Sequence, residues 1–130
     1  VMNHQILPPT IAPPAANYAH AVLSVDASRL LHTSGVVPTR PDGSVPEAIG
    51  DQAVVVWQTI EAILTEADML LSSIVSITTY VVVDHLGALP AVMAARDAAL
   101  GGHRASSTLV TVPALARPEW KMEIAVVAVA

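Results

Sequence analysis

One carboxylate near the C-terminal end of the chain is the residue best suited to acid–base chemistry. Glu123 lies between Met122 and Ile124 in a strongly apolar run. Burial in such surroundings disfavours the charged form of a carboxylate, so Glu123 could take up a proton as a general base. A glutamate that points outward from an alternating strand is the other interpretation that the pattern allows.

Two hydroxyl side chains, Tyr18 and Ser34, are candidates for ligand contact. The Tyr18 hydroxyl could donate a hydrogen bond to a bound molecule, or the ring could cover the edge of a sheet. Ser34 has no histidine and carboxylate in a nucleophile arrangement, and Thr33-Ser34-Gly35 lacks the glycine pattern of a nucleophile elbow. We therefore expect Ser34 to hydrogen-bond a ligand rather than to attack it.

The sequence contains no pattern typical of a metal centre. Cysteine is absent, which excludes disulfides, thiolate nucleophiles and cysteine-ligated clusters. The five histidines form no pair at i, i+4 on a helix. We expect no metal and no cofactor. His20, two residues from Tyr18 on the same strand face, is the histidine that could enter a cleft, and a structural role for it is the alternative.

The composition favours a self-associating protein that binds neither nucleic acid nor membrane. Hydrophobic residues make up 53% of the 130 residues and charged residues 13%, an apolar excess that a small monomer can hardly cover. A net charge of −5 with a single lysine leaves no basic stripe for phosphates. Apolar runs such as 124–130 are far below the roughly 20 residues that cross a bilayer. Without cysteine or a signal-like opening at 1–14, we expect a cytoplasmic protein.

Hydrophobic periodicity and turn residues predict seven elements in the order β-β-α-β-α-β-β. The strands 18–25 and 30–37 form a predicted hairpin, and the proline-rich segment 7–16 is an extended lead-in to it. The remaining elements are a helix at 51–67, a buried central strand at 73–83, a helix at 89–100, and strands at 106–112 and 122–129.

This order predicts a single α+β (α/β) domain over residues 1–130. Both helices can pack on one face of one mixed sheet. The other face would remain apolar and open. Self-association with closed cyclic symmetry is the simplest way to cover it.

Six short stretches follow one another along the chain in a characteristic order and spacing. They are Asn17-Tyr18-Ala19-His20-Ala21-Val22, Thr33-Ser34-Gly35, Pro41-Asp42-Gly43, Gln52, Leu115-Ala116-Arg117-Pro118-Glu119-Trp120 and Met122-Glu123-Ile124. Through them the chain resembles the Rid family, the reactive intermediate deaminases also described as YjgF or L-PSP-like proteins. The resemblance covers nearly the whole chain.

The resemblance implies a chorismate-mutase-like fold, a homotrimer and three ligand clefts between subunits, with no cofactor or metal. In active members, water attacks an imine carbon, which releases ammonia and a 2-keto acid. The match assigns catalytic positions to Tyr18 and Glu123 and places Ser34 and Gly35 in the substrate-binding pocket.

The arginine that binds the substrate carboxylate in this family has no direct counterpart. An alignment without gaps puts Ser107 in its place, and Arg104 would reach that place only if the strand slipped by three residues. An odd slip turns a side chain to the opposite face of a strand, so we expect Ser107 there, with Arg104 the other candidate for substrate binding. Replacing a guanidinium by a hydroxyl removes a charge-assisted contact of about 1.5–3 kcal/mol. Met93 replaces an asparagine usual in the second helix and makes the pocket wall less polar.

The sequence therefore favours a trimeric Rid-type protein that binds a small metabolite between subunits, with classical 2-imino acid deamination absent or weak. Hydrolysis of an enamine, an imine or a related C–N bond, with Glu123 activating water, is the alternative. Endoribonuclease or translation-inhibitor activity, for which some relatives are named, is the third interpretation. The acidic composition argues against it.

Overall fold

The structure, a computed structural model, describes residues 2–130 and contains two α-helices and six β-strands within them. Short 3-10 turns at Leu71–Ser73 and Val83–Ala88 lie on either side of the fourth strand. In chain order the elements are β1 Met2–Gln5, β2 Val22–Val25, β3 Leu30–His32, α1 Ile49–Glu66, β4 Ile74–Val82, α2 Leu89–Leu100, β5 Ser106–Val112 and β6 Met122–Val129.

The main sheet has four strands in the order β3-β6-β4-β5. It is mixed, because β4 runs parallel to β5 and antiparallel to β6. A parallel pair needs a crossover connection, which α2 supplies between β4 and β5. The predicted α+β class with two helices on one face of a mixed sheet is confirmed, and the predicted bounds of α2, β5 and β6 match those observed.

The core lies between the two helices and one face of the main sheet. Side chains at alternate positions of β6 are buried there and belong to one cluster with Val56, Ile60 and Leu64, which recur every helical turn along α1. Fully burying an aliphatic side chain of this size contributes about 1.5–3 kcal/mol. The intervening residues of β6, Glu123, Ala125 and Val127, therefore lie on the sheet face away from the helices.

The predicted hairpin between residues 18–25 and 30–37 is wrong, as is the expectation of one sheet. β2 pairs with β1 in a separate two-stranded sheet, with Met2 opposite Val25, and β3 pairs with β6. The turn between β2 and β3 bonds to the C-terminus instead: Arg29 N donates to Ala130 O over 2.8 Å, and Ala130 N donates to Arg29 O over 3.0 Å.

The segment 7–16 contains neither helix nor strand, as its prolines predicted, but the strand that precedes it, β1, was not predicted. Within residues 2–130, no helix combines the length and apolarity needed to cross a bilayer.

Candidate functional site

The carboxylate of Glu123 packs directly onto Gly35. The segment that carries Gly35 is held beside β6 by a bridge in which Val36 N donates to Ile124 O over 2.7 Å and Ile124 N donates to Val36 O over 3.1 Å. A β-carbon at position 35 would overlap the Glu123 Oε2 atom and lie 2.8 Å from its Cδ. Only glycine leaves room for the carboxylate in this position. Ser34, immediately before Gly35, is exposed.

The start of β6, and with it Glu123, is held by the buried amide of Gln52 on α1. Gln52 Nε2 donates to Pro46 O over 2.8 Å and to Glu119 O over 2.9 Å, while its Oε1 accepts from Lys121 N over 2.9 Å. The side chain is completely buried. Three hydrogen bonds thus join α1 to the loop before it and to the residues that lead into β6.

Beyond its part in the family resemblance, no role was predicted for Gln52. A signal was present, because Gln52 continues the line of buried positions Val56, Ile60 and Leu64 along α1. A polar residue on the apolar stripe of a helix indicates a buried group with specific hydrogen-bond partners.

Tyr18 and Arg104 belong to a second cluster, at the beginning of β5. Ala19 forms a parallel bridge with Ser106, and its backbone N–H donates to Ala105 O over 2.9 Å. The guanidinium of Arg104 donates to Oδ1 of Asn17 over 3.1 Å. Tyr18, the neighbour of Asn17, is half-buried and accepts a hydrogen bond at its hydroxyl from Ala15 N over 3.3 Å.

His20 also belongs to this second cluster. Its ring lies edge-on to the ring of Tyr18 with centroids 5.7 Å apart, and its Nε2 is 2.7 Å from the carbonyl oxygen of Ala12. That hydrogen bond ties the proline-rich segment to the cluster, which favours the structural interpretation of His20. Within residues 2–130, histidines and carboxylates form no group of three that could hold a metal ion.

Ser107 lies on the opposite face of the main sheet from Glu123. In the β4–β5 register Ser107 is opposite Ile77, which is buried against the helices. Glu123 is opposite Tyr80, which is three positions after Ile77 along β4. Because side chains alternate between the faces of a strand, Tyr80 and Glu123 lie on the face opposite to Ile77. The residue that sequence alignment places at the arginine position is thus separated from the candidate base by the thickness of the sheet.

The two clusters lie at different levels of the main sheet. Ser106, next to the Arg104 cluster, is opposite Ser76, whereas Glu123 is opposite Tyr80. Four residues of strand separate these levels, which is about 13 Å at the usual rise per residue. One chain therefore brings Glu123 and Gly35 together, and Tyr18 and Arg104 together, but does not bring the two pairs to one small molecule.

This fold places the chain in a class of protein, the chorismate-mutase-like α+β proteins of the YjgF type. The chain belongs to the family described as Endoribonuclease L-PSP, whose model matches residues 10–130. The predicted Rid, YjgF or L-PSP-like membership is confirmed. Among curated proteins, none matches the chain by sequence.

Solved structures agree with this assignment. YyfB from Yersinia pestis, described as a protein of unknown function of the Rid family, is 28% identical, with 98% of each chain covered and a TM-score of 0.89. The YjgF gene product of E. coli is also 28% identical, over 91% of this chain and 92% of that one, with a TM-score of 0.72. TdcF of E. coli, solved with bound serine, is 21% identical over 98% of each chain with a TM-score of 0.72, a likeness of fold alone.

Proposed function

We propose that this chain binds a small carboxylate-bearing metabolite in clefts between its own subunits. The observation that supports this most strongly is the division of the candidate residues into two clusters about 13 Å apart along β4. A metabolite of a few carbon atoms can contact both clusters only if Tyr18 and Arg104 come from one copy and Glu123 and Gly35 from another.

The sheet face that carries Glu123 has the character of a subunit interface. Over β4, β5 and β6, Glu123 is the single charged side chain on this face. Depletion of charge is typical of the buried centre of interfaces between like subunits. We propose that three copies cover one another's faces, as the family resemblance implies. The other residues of this face include Thr78, Tyr80, Thr108, Val110, Ala125 and Val127.

In this proposal Arg104, rather than Ser107, binds the carboxylate of the metabolite. The Arg104 guanidinium donates to Asn17, the residue before Tyr18, while Ser107 faces the helices. A guanidinium can bind a carboxylate through two parallel hydrogen bonds, whereas a serine hydroxyl offers one neutral donor. The hydrogen bond of Arg104 to Asn17 does not require the strand to slip, because Arg104 precedes β5.

The experiment is a calorimetric titration with 2-ketobutyrate, a stable carboxylate of the expected size. We expect wild type to bind and Arg104→Ala to bind about ten- to a hundredfold more weakly, the effect of losing one charge-assisted contact. Ser107→Ala is the matched control and should bind as wild type does. Equal affinity of wild type and Arg104→Ala, or no binding by either, would contradict the proposal.

Hydrolysis of an imine or enamine is the second candidate, and the state of Glu123 favours it. Among residues 2–130 the Glu123 carboxylate takes part in no ion pair, and its Oε2 lies against Gly35 on the sheet face away from the helices. A water molecule would add to the imine carbon while Glu123 takes its proton. Glu123 would return that proton to nitrogen, which gives a tetrahedral carbinolamine. The hydroxyl proton of this intermediate would then pass to nitrogen as the C–N bond breaks, which releases ammonia and leaves a carbonyl group.

A coupled assay of ammonia release from 2-iminobutyrate or 2-aminoacrylate tests this chemistry. Turnover by wild type that is lost in Glu123→Gln supports hydrolysis. Binding of 2-ketobutyrate without turnover supports a binding protein, the outcome that sequence analysis favoured. RNA cleavage is the least supported activity, because one lysine and five arginines against a net charge of −5 provide little attraction for phosphates.

A further inference from the structure

Four polar side chains form a continuous line of hydrogen bonds from a buried arginine of α2 to the guanidinium of Arg104. Arg96, which is 5% exposed, donates through Nε to Oδ1 of Asp97 over 3.1 Å, and its Nη2 lies 3.1 Å from the same oxygen. Asp97 Oδ2 accepts from Nδ2 of Asn17 over 3.0 Å. Asn17 Oδ1 accepts from Arg104 over 3.1 Å.

The chemistry of these groups permits a single direction for the line. An arginine only donates hydrogen bonds, and an ionised carboxylate only accepts them. Asp97 therefore requires the amino group of the Asn17 amide, which leaves the carbonyl oxygen of that amide for Arg104. Every N–H in the line points toward the charge of Asp97, and the buried Arg96 holds that carboxylate in place at the surface of α2.

We propose that Asn17 and Asp97 are positioning residues that hold the Arg104 guanidinium ready to bind the carboxylate of a ligand. The inference rests on the proposed function, since it assigns a purpose to the site of which Arg104 is part. A guanidinium carries five N–H donors, and one bond to Asn17 leaves enough of them for a bidentate contact. Restraining a flexible side chain before binding reduces the entropy lost when the ligand arrives.

Because the neutral amide of Asn17 lies between them, Asp97 does not pair directly with the guanidinium of Arg104. A carboxylate in direct contact with Arg104 would compete with the ligand carboxylate for the same donors. Asn17 instead transmits the orientation set by Asp97 without an ion pair to Arg104. This line of hydrogen bonds thus explains how Arg104, which lies outside the strand, can be held in one orientation and still have N–H donors free for a ligand.

The test compares the affinities of Asn17→Ala, Asn17→Asp and Arg104→Ala for 2-ketobutyrate and for its neutral analogue 2-ketobutyramide. We expect Asn17→Ala to weaken binding of the anion roughly three- to tenfold and Asn17→Asp to weaken it nearly as much as Arg104→Ala does. Binding of the neutral amide should change little. If the protein turns over 2-iminobutyrate, the Asn17 variants should raise KM and retain kcat.

Asn3→Ala is the matched control, because Asn3 is the other asparagine of the chain and bonds to Val129 O in a different part of the fold. If Asn17→Ala lowers the melting temperature strongly, Asp97→Asn, which removes the charge that orients Asn17, tests the same line. Wild-type affinity for the anion in the Asn17 and Asp97 variants, with a loss in Arg104→Ala, would overturn the inference and leave the proposed function standing. Wild-type affinity in Arg104→Ala as well would overturn both.

Discussion

The carboxylate of Glu123 occupies the space that a β-carbon would fill at Gly35. The two residues are 88 positions apart in the sequence, and the bridge between Val36 and Ile124 brings their segments side by side. The position of the candidate base therefore depends on the absence of a side chain on the neighbouring segment.

Gly35→Ala should disturb the position of Glu123 without unfolding the protein. The atoms that the new methyl group would meet first are Oε2 and Cδ, at the far end of a flexible side chain, so the carboxylate can move aside. We expect the melting temperature to remain close to wild type while ligand affinity or turnover falls. Calorimetric titration and thermal melting measure the two effects separately.

Gly87→Ala provides the control for this substitution. A β-carbon at Gly87 would have no atom within 4 Å, and the residue lies in a 3-10 turn outside the proposed site. It should leave both stability and binding unchanged. A large loss of stability in Gly35→Ala with a normal response to ligand would contradict the assignment of Gly35 to the site.

Glu123→Gln should remove imine hydrolysis while preserving the shape of the side chain. A positioned general base typically contributes about 10²- to 10⁴-fold to the rate, because it takes the proton from water as the new bond forms. We expect kcat for 2-iminobutyrate to fall within this range, measured by coupled ammonia release. Retention of the wild-type rate in Glu123→Gln would exclude Glu123 as the base.

Gln52→Leu should destabilise the protein by about 2–4 kcal/mol, because it removes three hydrogen bonds made by a fully buried side chain and leaves their partners unsatisfied. These partners are the carbonyl groups of Pro46 and Glu119 and the N–H of Lys121. Urea denaturation measures the change in the free energy of unfolding. Gln58→Leu on the exposed side of the same helix is the control, and it should change stability by less than about 0.5 kcal/mol.

Val127→Asp should prevent self-association. Val127 lies on the sheet face that also carries Glu123. In the proposed trimer this face is covered, so a second carboxylate there would lose its hydration without gaining a partner. We expect light scattering after size-exclusion chromatography to show three copies for wild type and fewer for the variant, with circular dichroism confirming that the variant is folded.

Val54→Asp, at a position on α1 that is 45% exposed, should retain the wild-type assembly. A monomeric wild-type protein at micromolar concentration would contradict both the trimer and the placement of the site between subunits. A monomeric wild-type protein would not contradict the hydrogen bonds and packing described within one chain.

The sequence supported some features of this protein strongly because they depend on residues close together along the chain. α2, with Pro90 in its first turn and Gly101 after its last, follows from local signals that need no partner. The same holds for the β-branched run of β4 and for the alternation of β6. Glu123 was identifiable for a related reason, since a lone carboxylate in an apolar strand is conspicuous in sequence.

The strand partners could not be predicted from the same signals. Residues 18–25 and 30–37 have the composition of a hairpin, yet β2 pairs with a strand at the N-terminus and β3 with β6. Backbone donors and acceptors are alike in every residue except proline, so composition does not specify which edge a strand will join.

By itself, the sequence determined the family, the α+β class and most of the candidate residues, because motifs and periodicity are local properties. Only the tertiary structure decided that Ser107 faces the helices, that Arg104 bonds to Asn17, and that the Glu123 carboxylate rests on Gly35. Each of these depends on the register between segments distant in the chain. A shift of one residue in that register turns every side chain of a strand to the other face, so the alignment of residue types alone could not place them.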